Sequence, residues 1–131
     1  MVRVMKQNTF RELEVYKEGK KLVKEVYRLL KGFPKEEQYA MCDQLRRAVI
    51  SITSNIAEGS GRGSNKEKVH FLEISYGSLM EVLSQMDVAC DLEYITKEEF
   101  NNIEVMVENV GRPLSGLKNY FNRKNSLTSN L

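Results

Sequence analysis

Apolar residues recur in alternating steps of three and four along four stretches of the chain, the spacing that gathers them on one face of an α-helix. The first stretch carries Val15, Gly19, Leu22, Val26, Leu29 and Phe33, and the second Cys42, Leu45, Val49, Ile52 and Ile56. The third carries Leu72, Ser75, Leu79, Val82, Met86 and Ala89, and the fourth Phe100, Ile103, Val107, Val110, Leu114, Leu117 and Phe121. No stretch shows a competing strand pattern. Four such seams joined by short connections predict an all-α fold, an antiparallel up-down four-helix bundle with helices crossing at shallow angles.

Helix boundaries are suggested by capping residues. Thr9 with Glu12, Ser64 with Glu67, and Thr96 with Glu99 each have the spacing of a capping box, in which a hydroxyl and a carboxylate satisfy exposed amides reciprocally. The first helix is expected over residues 10–30, ending where Gly32 takes a left-handed conformation and Pro34 halts the ladder. Pro34 suits the opening of a second helix running to residue 58, where Gly59, Gly61 and Gly63 break the pattern. A third helix is expected from Ser64 to residue 94, and a fourth from Thr96 to residue 121, kinked at Pro113 beside Gly111. Residues 1–121 then form one domain, and residues 122–131 a disordered tail.

Composition fits this picture: 131 residues, 41% hydrophobic and 29% charged, with two prolines and no tryptophan. A chain of this size and make-up folds as a helix-rich domain and is not disordered. Residues 1–8 lack a basic segment followed by an apolar one, and no apolar run is long enough to span a bilayer, so a cytoplasmic protein without membrane contact is expected. Cys42 and Cys90 form no C-x-x-C motif and sit about 12 Å apart along an antiparallel helix pair at 1.5 Å per residue, so buried thiols are expected and not a bridge. Glu67 and His70 have the Glu-x-x-His spacing of di-metal bundles. That site needs a second such pair, and His70 is the only histidine. With no nucleophile in a recognisable setting either, the reading is a non-enzyme with no cofactor and no metal. The glycines around Arg62 suggest a phosphate cradle, but no strand precedes them and no Lys-Ser or Lys-Thr follows. Arg62 remains a candidate contact for an occasional anion or nucleic-acid phosphate.

The net charge of +2 predicts no partner by itself, but its distribution is uneven. Lys17, Lys20, Lys21, Lys24, Arg28 and Lys31 recur every three or four residues and form one stripe, centred at about 100° per residue almost opposite the first seam. Glu14, Glu18 and Glu25 flank one side only. The stripe reads either as a solvated face with local ion pairs or as a surface for phosphates. On the second helix Arg47, Ser51, Ser54 and Glu58 align opposite its seam, and serines are poor choices for an exposed helix interior. Together with off-seam Ile50, Ile74, Val88, Leu92 and Val105 they suggest contacts between subunits.

QLRRA at 44–48, SNIAEG at 54–59 followed by Arg62, and FLEISYGSLMEV at 71–82 resemble the bacterial four-helix-bundle family encoded in intervening sequences of 23S ribosomal RNA genes. The resemblance spans nearly the whole chain. It implies a four-helix fold, a homopentamer and no catalytic residues. It also implies a relation to the accessory proteins of diversity-generating retroelements, which associate with reverse transcriptase and with RNA or DNA. The chain departs from many members at Thr53, where they carry proline. The expected function is a non-enzymatic, homo-oligomeric nucleic-acid-binding or adaptor module using the basic face of the first helix. The alternative is a protein-interaction scaffold that binds no nucleic acid.

Overall fold

The computed structural model describes residues 9–129, with side chains through residue 125. Four long helices carry the chain: α1 Glu14–Leu30, α2 Met41–Ser60, α3 Asn65–Asp91 and α4 Lys97–Ser129, with no strand among the described residues. Short 3₁₀ turns at Thr9–Glu12 and Lys35–Glu37 precede the first two. Each helix packs on the next, and α4 packs on α1, so the four enclose one shared core as a four-helix bundle. The four seams supply that core, with only Leu117 and Phe121 left half-buried at its end. Leu22, Leu45, Ile52, Leu79 and Ile103 are fully enclosed, and burying each contributes about 1.5–3 kcal/mol relative to leaving it in water.

Helices α2 and α3 approach closely, through small side chains. Gln85 Nε2 donates to Gln44 Oε1, Ser78 Oγ donates to Ser51 Oγ at 2.8 Å, and the fully buried Ser75 donates to the Ile52 carbonyl at 2.8 Å. Rising numbers on α2 meet falling numbers on α3, so these two run in opposite directions. A Cβ at Gly59 would lie 3.0 Å from Phe71 Cβ and 3.3 Å from the Lys68 carbonyl oxygen, so a side chain here would have to push α3 back by a few tenths of an ångström. Lys68 Nζ in turn donates to the Ser60 carbonyl at 3.1 Å, satisfying one of the acceptors that a helix end leaves open.

Several boundaries differ from those the sequence suggests. Thr9 does not cap α1: the segment it begins is a 3₁₀ turn, and the N-cap residue is Leu13, whose carbonyl accepts from Tyr16 and Lys17. Gly32 is not left-handed, because bonds from Gly32 to Leu29 and from Phe33 to Leu30 tighten the end of α1 before Pro34 stops it. Pro34 opens only the short 3₁₀ turn, and α2 begins at Met41. Gly59 lies inside α2, held against α3 by the close approach just described. Helix α3 ends at Asp91, and Glu93 is the one described residue other than glycine with positive φ, at 65°. Ser64 and Thr96 do cap their helices, and Thr96 makes both bonds of its capping box with Glu99.

Helix α4 remains helical through Pro113 and does not stop at residue 121, so the disordered tail is corrected over residues 122–129, which are helical. No glycine or proline follows Gly116. Lys124 Nζ also sits 5.0 Å from the Tyr120 ring centre, which braces the added turns. Residues 1–8, where no leader is expected, and residues 130–131 of the expected tail lie outside the described residues. No described helix is long and apolar enough to cross a membrane.

Candidate functional site

The six cations expected on the first helix, Lys17, Lys20, Lys21, Lys24, Arg28 and Lys31, are all exposed, and five of them stand on α1 with Lys31 as its C-cap. Their electrostatic states differ. Arg28 is held by Glu25 through two hydrogen bonds, Nε at 2.7 Å and Nη2 at 2.8 Å. These bonds hold the Glu25 carboxyl below the usual glutamate range, and Asn102 of α4 also donates to it at 3.3 Å. Lys21 donates to Glu18 at 3.2 Å, and Lys17 Nζ lies 3.6 Å from Glu12. Lys20 sits 5.4 Å from the centre of the Tyr16 ring. Lys20, Lys24 and Lys31 have no ion-pair partner among the described residues. The acids lie on the flank toward α4, which leaves the flank toward α2 positive.

On that positive flank α1 and α2 form an open groove of about 710 Å³. Lys17, Lys20, Lys21 and Lys24 rim it, and Tyr16, Val23, Ile50 and Thr53 provide its apolar floor. The helices can cross here because Gly19 has no side chain: a Cβ would stand 3.0 Å from Cγ2 of Thr53. Thr53 donates its hydroxyl to the Ile50 carbonyl at 3.0 Å, and α2 is continuous through it. Ile50, which the sequence suggests as a subunit contact, lies 42% exposed beside the lysines. Its position on the helical wheel, well off the α2 seam, was the available signal.

The four residues proposed for subunit contacts separate. Arg47 and Ser54 are exposed on the outward face of α2. Glu58 is also exposed but accepts from Arg62 at 2.8 Å. Ser51 is corrected from an outward residue to one between helices, since it accepts from Ser78 of α3 and from Asn55. At 100° per residue it is turned about 40° further round the helix than Arg47, enough to meet α3. The off-seam Ile74, Val88, Leu92 and Val105 are exposed, Val105 most of all at 57%.

Arg62 is half-buried, its guanidinium 4.6 Å from the Phe71 ring centre as well as paired with Glu58, so the glycine-rich turn does not offer it as a free cation. His70 is exposed and edge-on to Phe71, while Glu67 is engaged by Ser64. Among the described residues no group of three or more His, Cys, Asp or Glu side chains could hold a metal. Cys42 is buried and Cys90 half-buried, both as free thiols, and burial pushes the Cys42 thiol up.

Arg46 has a role that its place in the sequence pattern does not announce. It donates to the Gln38 carbonyl, to Gln38 Oε1 and to Asp43, while Gln38 Nε2 donates to the carbonyls of Leu30 and Phe33. This relay closes the C-terminal end of α1 onto α2 and so fixes the angle at which the basic helix lies. A second groove, of about 560 Å³, runs between α3 and α4 over Leu79, Met80, Leu83 and Val107, with Glu104, Glu108 and Arg112 at its edge.

The profile of the family described as 23S rRNA-intervening sequence protein matches residues 11–116, a span that contains α1, α2, α3 and the α1/α2 groove. No curated protein matches the chain.

Proposed function

The chain belongs to the 23S rRNA-intervening sequence protein family, and from that premise we propose that it is a non-enzymatic, homo-oligomeric nucleic-acid-binding or adaptor module of the cytoplasm, working through the basic face of α1. The observation that carries this reading is the trio Lys20, Lys24 and Lys31, exposed and without a carboxylate partner among the described residues. Unpaired ammonium groups on one helix face release condensed counterions when they meet phosphates, and that release drives binding. Lys17 and Lys21 add to the face, because exposed ion pairs are weak in water and their lysines exchange partners readily.

Exposed Ile74 and Val88 on α3, Leu92 as its C-cap and Val105 on α4 support assembly, and the resemblance points to five copies. A ring of copies repeats the basic face around one axis, so a polyanion touching several faces gains avidity without any new contact. Multi-angle light scattering at micromolar concentration should report an oligomer, and a monomer alone would remove this part of the reading. Anisotropy titrations of the same oligomer with labelled RNA and DNA should show binding that weakens with salt.

The α3/α4 groove, with its apolar floor, favours a second reading as a protein-interaction scaffold. Saturable binding to a protein partner, with no nucleic acid bound at low salt, would select it.

A further inference from the structure

We propose, on the basis of the nucleic-acid reading above, that the α1/α2 groove takes single-stranded nucleic acid in preference to duplex, with a base on the Val23 and Ile50 floor and phosphates on Lys20 and Lys24. A duplex presents phosphates on its outside and keeps its bases stacked within, so lysines alone would serve it. Here the lysines rim an apolar floor, with Ile50 42% exposed and Val23 and Tyr16 half-buried. Water over that floor is displaced at a gain only by an apolar surface, and an unstacked base offers one on a chain that also carries the negative charge the rim requires. The occupant is therefore an anion with exposed flat apolar groups, which describes a single strand. The groove has no Asn, Gln or Arg with which to read base edges in a fixed geometry, so sequence preference is weak. The four groove lysines extend over about 10 Å of helix at 1.5 Å per residue, room for more than one nucleotide of a strand.

The chain contains no tryptophan, so Ile50→Trp places a single indole at the groove floor, on a position exposed enough to accept it. The intact oligomer carrying this change is titrated at fixed salt with an oligothymidine strand and with a duplex of equal length, and unsubstituted protein is titrated with both by anisotropy. The strand should bind at least tenfold tighter than the duplex and quench the indole by stacking, while the duplex leaves emission unchanged. Ile50→Ser, which removes the floor but keeps the cations, should weaken strand binding several-fold and duplex binding little. Equal affinity for strand and duplex, or quenching by both, overturns the single-strand preference and leaves the nucleic-acid reading in place. Binding of neither form removes both. Quenching by an acidic amphipathic peptide that neither strand nor duplex displaces assigns the groove to a protein and overturns the proposal.

Discussion

Replacing Gly19 with alanine tests whether the crossing that builds the basic groove depends on a missing side chain. The new Cβ would stand 3.0 Å from Cγ2 of Thr53 and 3.9 Å from Cγ2 of Ile52, and the first distance is well inside the ~3.5–4.0 Å at which carbons rest. Thr53 is poorly able to turn away, because a β-branched side chain is stiff in a helix and its hydroxyl is donated to the Ile50 carbonyl. Two effects oppose one another. Exchanging glycine for alanine inside a helix gains roughly 0.8–1 kcal/mol, whereas overfilling a packed contact costs roughly 1–3 kcal/mol. The contact prevails, and Gly19→Ala should lose up to about 2 kcal/mol. Thr53→Ser removes the obstructing methyl and by itself costs about 0.8 kcal/mol. In the double variant the obstruction is gone and the helix gain is recovered, so stability should return to within about 0.5 kcal/mol of the parent. Urea unfolding followed by circular dichroism, with all four proteins at one concentration so that self-association cannot bias the comparison, gives the coupling. A coupling of about 1–3 kcal/mol is expected. A Gly19→Ala variant more stable than the parent, or additivity within about 0.5 kcal/mol, would refute the reasoning.

Glu93, left-handed with φ 65° after the end of α3, accompanies bonds from Glu93 to Cys90 and from Tyr94 to Ala89, the pattern that usually recruits glycine. Glu93→Gly should stabilise by about 0.5–1 kcal/mol, the roughly 1–2 kcal/mol left-handed penalty less the backbone entropy of glycine, and should raise the melting temperature by roughly 2–4 °C. An unchanged or lower melting temperature would show that the penalty is relieved in some other way. Glu25, whose carboxyl the Arg28 hydrogen bonds hold below its ordinary range, should contribute stability that is complete above the unfolded-state value and lost as pH falls through the lower folded-state one. Glu25→Gln should flatten the acid side of the stability profile, and an identical profile for variant and parent would count against this pairing.

The helices and their buried faces were legible because a period of three and four residues is a property of the chain itself. Leu22, Val49, Leu79 and Val110 needed no partner to be recognised as core. What depended on neighbours was not legible. Ser51 looks outward on the wheel of its own helix, and only the closeness of α3, permitted by Ser75, Ser78 and Gly59, turns it into an interior contact. Ile50 likewise joins the lysines because α1 crosses at Gly19. Exposure of the basic stripe could be read from spacing, but which cations a carboxylate neutralises depends on rotamers, and Arg28 is bound by Glu25 while Lys24 is not. The left-handed Glu93 carries no mark in the sequence, since the residue type gives no hint of that conformation.

The central claim, that the basic face of α1 binds by releasing counterions, is tested most directly by the salt dependence of affinity for a single strand, compared between the parent protein and a Lys20→Gln, Lys24→Gln variant. Both positions are exposed and have no ion-pair partner among the described residues, so the variant should remain as helical as the parent. Each phosphate contact on a single strand contributes about 0.7 to the slope of log affinity against log salt. The parent should therefore bind more weakly as salt rises, and the variant should show a slope shallower by about 1.4 for each occupied face. A flat salt dependence in the parent, or a variant that binds with the same affinity and the same slope, would contradict the account.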